Sequence, residues 1–539
     1  MSPIVGFAQV DWENPKGAIK NEEIVIEKNK QIVLPSVSRR FTAITLETLP
    51  IDTSAMKYTP KEIAVELPKI PVKLRPKTMK TEGLDKTYWG NFKAGYGSYV
   101  SPYFQADIAS KRSDEYAMAF HFKHFSSKNG PVDGANSGLS NTDAFLSGKL
   151  FFNKATLGAK AGGKFDTYYL YGYGANPVPE AVDIRQRLSN YSLGISLTDN
   201  DKNENIFYKV NAGADFFSAK DLGWKETDLF TDINSQFGIT DELKINISGS
   251  IHASQSSPAK NRLFYKIKPV GVYAYDAFTF ELGAGVFGTK DSINLYKHKI
   301  YITPHAVVRF TFTSGHSISG GVTGDVIWKS ARIKFNENPY LGALTVINNE
   351  VKPIDVFIKA NGKVAPKIDY SFGYNTSVYK IFGQFINNTP DQSTFDIDYL
   401  TTTNLIHTIN GQLDFITSKN LRLSLYGKYR FFSFDLIQQP YHLPNIDVGF
   451  KAKFNVMEKL DLELALTYLD GLYAQNLTLP NVDVELNSIV DLNLAADYKI
   501  NSSFSAFMKM QNILGNQYQY YYQYPSKGFQ FLAGVSFTL

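Results

Sequence analysis

The chain has 539 residues, a formal net charge of +5 and no cysteine. The lack of cysteine excludes disulfides, thiolate catalysis and cysteine-ligated metals, and the small, dispersed charge gives no support to nucleic-acid binding. No run of 18 apolar residues is present, which excludes a transmembrane helix, whereas an aromatic content of 14% suits the interfacial girdles of a membrane β-barrel.

Residues 1–9 have the composition of the end of a secretory signal peptide. A short apolar stretch ends at Ala8, although no basic region precedes it. We therefore expect residues 1–9 to be the remnant of a signal peptide whose true start lies upstream, with cleavage near Ala8.

Residues 10–86 are proline-rich, as in ELPKIPVKLRPKTMK, and carry a small surplus of basic residues. Proline at this density disfavours helices and central strands and favours extended chain. The segment is predicted to be a periplasmic arm rather than a folded domain. The sequence leaves open whether the arm is a solvated linker or docks on a partner by strand addition.

Residues 87–539 alternate apolar and polar side chains over about a dozen positions between polar turns, which is the pattern of a transmembrane β-barrel. A soluble β-sandwich also alternates, but rarely in a single domain of this length. The final strand is a clear example, with one apolar face made of Phe529, Phe531, Ala533, Val535, Phe537 and Leu539.

Ten short polar turns alternate with eleven longer or outer connections along this region, beginning with the tight connection at Val100–Pro102. Short turns are typical of the periplasmic side and long loops of the exterior. The count predicts an all-β fold, an antiparallel outer-membrane barrel of about 22 strands, located in the cell outer membrane with both termini in the periplasm.

The end of the chain resembles that of the TonB-dependent outer-membrane receptors. The residues that carry the resemblance are the alternating last strand and Asn512, Ile513, Leu514, Gly515, Asn516, Gln517, Tyr518, Tyr524, Pro525 and Gly528. It covers residues 88–539 and implies 22 strands and solute uptake. The family also fills its barrel with an N-terminal plug domain, whereas residues 10–86 are too short and proline-rich to form one, so a plugless barrel is expected.

The sequence predicts no enzyme, no metal site and no cofactor. The histidine pairs His121/His124 and His298/His305 are spaced so that their members point to opposite faces of a strand. No phosphate-binding loop or nucleophile motif is present.

Charged residues on predicted inward faces are the candidate site. They could contact an anionic solute or the arm, or simply line a hydrated pore; they are Arg422, Lys428, Arg430, Asp491, Asp497 and Glu463. A second candidate is an aromatic cluster on the last outer loop, which could bind a sugar or peptide but is better explained as part of an interfacial girdle: Tyr518, Tyr520, Tyr521, Tyr522 and Tyr524.

Two functions follow from these expectations. The first is transport of a solute across the outer membrane by a receptor-like barrel. The alternative is a structural or assembly component of a multi-protein outer-membrane complex, with the arm contacting periplasmic partners. Either one predicts contact with outer-membrane lipid and with a periplasmic or outer-membrane protein partner, and neither identifies the solute.

Overall fold

A computed structural model of the chain describes residues 88–174, 178–200, 205–312, 315–388, 391–418, 420–477 and 482–539. The predicted signal remnant, residues 1–9, and the predicted arm, residues 10–86, lie outside these ranges. The described strands are β1 Gly90–Gly97, β2 Ser101–Ala109, β3 Tyr116–Ser127, β4 Leu139–Phe151, β5 Ala155–Tyr169, β6 Arg185–Asp199, β7 Ile206–Ala219, β8 Trp224–Gly238, β9 Leu243–Ser257, β10 Arg262–Tyr275, β11 Phe278–Lys290, β12 Lys299–Thr311, β13 Ser317–Ile327, β14 Glu350–Ala365, β15 Ile368–Tyr379, β16 Phe382–Asn387, β17 Phe395–Leu400, β18 Asn404–Ser418, β19 Leu421–Phe434, β20 Ile446–Val456, β21 Leu460–Asp470, β22 Leu472–Gln475, β23 Asp483–Leu486, β24 Ile489–Lys499, β25 Phe504–Gln511 and β26 Gln530–Thr538.

Twenty-two of these strands form one antiparallel sheet that closes on itself. Each strand pairs with the next along the chain, and β1 closes the barrel by pairing with β26 from Asn91↔Thr538 to Gly97↔Leu532. The predicted fold class and strand count are confirmed. The other four strands form two small hairpins, β16–β17 and β22–β23, within the connections that join β15 to β18 and β21 to β24.

Side chains alternate between the two faces of the barrel wall, as the sequence pattern predicts. Large apolar residues on the outer face are exposed in the isolated chain, for example Leu282 and Ile302, each 72% exposed. Their neighbours Glu281 and Thr303 lie on the opposite, inward face. An apolar outside and a polar inside are the arrangement that a bilayer and a hydrated lumen require.

Ten short connections gather at one end of the barrel, here called the turn end, and the longer ones at the other, here called the loop end. The turns lie where the sequence predicts them; in the β20–β21 turn, for example, Met457 and Glu458 both have positive φ, as in a type I′ turn. The first and last strands meet at the turn end, where the Trp89 backbone N–H donates to the carbonyl of Leu539.

The loop end carries the helical elements of the described chain. These are one α-helix, α1 Ala331–Glu337, and two 3₁₀ turns, Gly134–Ser137 and Lys220–Leu222. No helix in the described ranges has the length and apolar character needed to cross a bilayer.

Candidate functional site

The long connections at the loop end fold back into the barrel and pack together in a buried aromatic cluster, the loop core. Its members come from the β5–β6 connection, from the connection between β13 and β14, from the β16–β17 hairpin, from the last loop, and from the inward faces of β6 to β8. The buried residues of the loop core are Leu170, Ile184, Leu188, Phe217, Ala219, Trp224, Ala331, Phe335, Tyr340, Leu341, Ile347, Phe395, Ile397, Tyr521 and Tyr524.

Helix α1 lies against the inner wall of the barrel. Its N-terminus is capped by Ser330, whose hydroxyl accepts a hydrogen bond from the Ile333 backbone N–H at 3.2 Å. On the buried side Phe335, 1% exposed, packs against Phe217 and Trp224. A seven-residue helix is too short to be stable alone, so this packing holds it.

An ion pair shows how far the connection reaches into the barrel. Arg332 of α1 lies 3.1 Å from Asp215, and Asp215 lies four residues before the end of β7 at Ala219. At about 3.3 Å per residue this places the contact roughly 13 Å along the strand from its end, which is about 10 Å of depth for a strand tilted by about 40°. The connection therefore occupies lumen space rather than standing above the barrel.

A buried charge cluster joins α1 to the start of β14. The Lys334 side chain is 2% exposed, and its Nζ lies 2.9 Å from Glu337 Oε2 and 3.2 Å from Glu350 Oε1. Burial lowers the pKa of Lys334, but the two carboxylates outweigh it and the net shift is upward. Lys329 makes a second cation contact with the same two carboxylates. Paired in this way, Lys334 remains charged although it is buried.

Arg262 of β10 fixes the ends of the same connection. Its guanidinium stacks 4.4 Å from the Trp328 ring and donates to the Ile347 carbonyl at 2.8 Å and to the Lys329 carbonyl. The Trp328 indole N–H in turn donates to Asp228 of β8 at 3.2 Å. The inward wall thus supplies specific polar partners for this connection.

The β16–β17 hairpin joins the loop core through backbone hydrogen bonds. The Phe395 N–H donates to the Tyr340 carbonyl, and the Gly342 N–H donates to the Phe395 carbonyl, both at 2.8 Å. The Phe395 side chain is fully buried. Two separate outer connections are therefore locked to one another inside the barrel.

The tyrosines of the last loop do not form the interfacial girdle that the sequence favoured. Tyr521 and Tyr524 are buried in the loop core, and burial raises the pKa of both phenols well above the ordinary value. Tyr521 donates to the Glu337 carbonyl at 2.7 Å, and Tyr524 stacks on Tyr340 with ring centroids 3.7 Å apart. Three further tyrosines are partly buried beside them or against the β22–β23 hairpin, namely Tyr518, Tyr520 and Tyr522. These tyrosines therefore pack inside the barrel.

His442 is buried among these rings. Its Nδ1 lies 3.0 Å from the Tyr520 carbonyl, and the imidazole packs on Phe395 and Tyr521. Burial lowers the pKa of His442 to about 4. The loop core therefore holds a neutral histidine in an apolar setting.

The charged residues predicted to face the lumen are spread over several strands and do not converge. Arg430 lies 3.5 Å from Asp447 and donates to the Pro444 carbonyl, while Arg422 stands opposite Lys453 across the β19–β20 ladder. Lys428 lies opposite Asp447 in the same ladder.

The three predicted carboxylates already have partners within the barrel. Asp497 pairs with Lys93 at 3.4 Å and Glu463 with Lys453 at 3.1 Å. Asp491 accepts hydrogen bonds from the Asn493 amide and the Tyr518 hydroxyl. Each of the three therefore already has a polar partner on the barrel wall.

The sequence analysis did not single out several residues that build the loop core, chief among them Phe335, Tyr340 and Phe395. The available signal was the density of aromatic side chains in the outer connections. Within the described ranges, no group of three histidine or acidic side chains is arranged to hold a metal ion.

Similar folds are found among solved structures of outer-membrane transporters. The FrpB iron transporter from Neisseria meningitidis (F3-3 variant) superposes with a TM-score of 0.66 at 11% identity, over 85% of this chain and 82% of that one. The siderophore receptor PirA from Acinetobacter baumannii gives 0.64 at 10% identity, over 85% and 81%. The copper transporter OprC gives 0.59 at 10% identity, over 84% and 81%.

The chain has the fold of an outer-membrane receptor barrel. Sequence identities of 10–11% establish a shared fold and nothing further. Neither a protein-family model nor a curated protein matches the sequence. The resemblance to TonB-dependent receptors that the closing residues indicated is supported for the barrel.

Proposed function

We propose that this protein is a transporter of the outer membrane, related in fold to the TonB-dependent receptors, in which the loop core is the gate. It spans the membrane with residues 87–539, has both termini in the periplasm, and moves a solute rather than catalysing a reaction. The solved structures of similar fold include iron and copper transporters and a siderophore receptor.

The observation that carries the proposal is the loop core within a wide barrel. A barrel of 22 strands, spaced about 4.8 Å apart and tilted by about 40°, is roughly 40 Å across. A barrel that served only as an anchor for other proteins would not need so wide a lumen. Connections that reach inward and interlock through Phe335, Tyr340 and Tyr524 obstruct that lumen. A transporter with so wide a lumen needs a gate, because an open lumen would let other solutes cross the membrane.

The test is the conductance of the purified full-length chain in planar bilayers. Replacing residues 331–347 by a Gly/Ser linker removes α1 and the main partners of the hairpin and the last loop. The wild-type chain should give low or intermittent conductance, and the variant large, stable channels.

Replacing residues 128–138, an outer connection that supplies none of the buried residues of the loop core, is the control and should leave conductance near the wild-type level. A folded 331–347 variant that stays closed would overturn the gate. If that variant also co-purified in a fixed complex with other envelope proteins, the assembly role would be the better account.

A further inference from the structure

A three-by-three grid of inward-facing side chains lines the barrel wall where β12, β13 and β14 approach the turn end. Direct cross-strand partners define its rows. From the lumen centre toward the turn end, the rows are Val307–Gly321–Phe357, Arg309–Ser319–Lys359 and Thr311–Ser317–Asn361.

The grid is concave. Gly321 carries no side chain between Val307 and Phe357, and a Cβ added there would lie only 2.3 Å from the Ala306 carbonyl oxygen. The recess has a volume of about 460 Å³ and is bordered on its β11 side by Glu281. This volume falls in the range of small-molecule sites.

The middle row carries the charge. Arg309 and Lys359 are one strand apart on either side of Ser319, so their backbones lie about 10 Å from each other. Arg309 is half exposed, and its ionic contact with Glu281 is long, at 3.9 Å. Lys359 is exposed and, within the described residues, makes neither an ion pair nor a hydrogen bond.

The nearby carboxylate offsets only one of the two positive charges of this row. The other oxygen of Glu281 lies 2.9 Å from His305 Nε2, which directs that carboxylate toward β12 and away from Lys359. Two cations therefore face the same recess with a hydroxyl between them. The unsatisfied positive charge fits an anion placed over Ser319.

The remaining groups suit the same ligand. The bottom row offers two hydroxyls and a carboxamide, which donate to oxygen, and a guanidinium matches the geometry of a carboxylate or phosphate. The top row offers an aliphatic side chain and an aromatic ring, which can contact a carbon skeleton.

We propose that this recess binds a small solute bearing a carboxylate or phosphate group. The proposal rests on the transport function and deepens it by naming the class of solute. The recess lies near the 312–316 turn, on the turn-end side of the lumen from the loop core. A solute admitted at the loop end would reach it before leaving the barrel.

The test is isothermal titration of the purified full-length chain in detergent at low ionic strength, with citrate and inorganic phosphate as probes and sucrose as a neutral comparison. We expect saturable binding of at least one anion and none of sucrose. The double variant Arg309→Gln/Lys359→Gln should weaken that binding tenfold or more, while Lys451→Gln, which removes one lysine from the inward face of β20, should leave it unchanged.

Folding of each variant is checked by its heat-dependent shift in gel mobility. Absence of anion binding by the wild-type chain, or equal weakening by Lys451→Gln, would overturn the site. Because binding is measured without transport, failure here leaves the gate to be judged by conductance, and a failed gate leaves the site to be judged by titration.

Discussion

His442 is a titratable residue buried against the loop core. Its imidazole is 5% exposed among aromatic rings, and its pKa of about 4 lies below the ordinary value of 6.5. Between pH 4 and 6.5 a solvent-exposed histidine binds a proton, whereas the buried His442 stays neutral. The loop core should therefore be fully stable above pH 6.5 and lose up to about 3 kcal/mol as the pH falls toward 4.

Near-UV circular dichroism melts of the aromatic loop core at pH 7.5 and 4.5 would measure this loss. His442→Leu should be less stable at pH 7.5, by about 1 kcal/mol, because the Tyr520 carbonyl loses its donor. It should nevertheless show a smaller loss on acidification. The exposed His298→Leu is the control and should keep the wild-type pH response; an unchanged response in His442→Leu would contradict the assignment.

Lys334 tests whether the buried charges hold α1 in place. Lys334→Met leaves Lys329 as the remaining cation beside Glu350 and Glu337, so we expect a loss of about 1–3 kcal/mol, less than for a buried charge left with no partner. The double variant Lys334→Met/Glu350→Leu removes both charges and should recover much of that loss. The measurement is the melting temperature of the near-UV circular dichroism signal for each variant. A double variant that melts no higher than Lys334→Met would count against a pairwise interaction between Lys334 and Glu350.

At the scale of the element, the strands and turns could be predicted because their signals are local. The alternation in β21 and β26 follows directly from the two environments of the wall, and the polar turns mark where strands end. The loop core could not be predicted in this way. Tyr171 and Tyr340 are 169 residues apart in sequence, and no local sequence pattern predicts that their side chains are in contact.

The candidate charges illustrate the same limit. Alternation assigned Arg430, Asp497 and Glu463 to the lumen side, but their partners depend on which strands become neighbours. Asp497 pairs with Lys93 across 404 residues because the barrel closes between β1 and β26. The grid on β12 to β14 likewise depends on the register between three strands, which could not be predicted from the sequence.

The two faces of β21 provide a test of membrane insertion. Leu464 lies in the middle of this strand on the outer face, whereas Thr467 faces inward opposite Asp491. Leu464→Arg should cost about 2–4 kcal/mol if it lies near the bilayer midplane, and Thr467→Arg far less. Unfolding in urea from lipid vesicles measures both; equal losses would refute the assignment of the faces.

At the scale of the whole molecule, the barrel has two openings to account for. The loop core lies toward the loop end, whereas β1, the first described strand, begins at the turn end beside Leu539. The paired state of Asp497 and Glu463 argues against these two carboxylates as anchors for a basic arm within the lumen.

Deletion of residues 10–80 tests where the arm acts. If the loop core is the gate, the deletion should leave single-channel conductance within about twofold of the full-length chain, while the 331–347 replacement should raise it whether or not the arm is present. Combining the two changes separates the contributions, since independent elements should give additive effects. A large, stable conductance after arm deletion alone would show instead that the arm fills the lumen, and it would transfer the gating role from the loop core to residues 10–80.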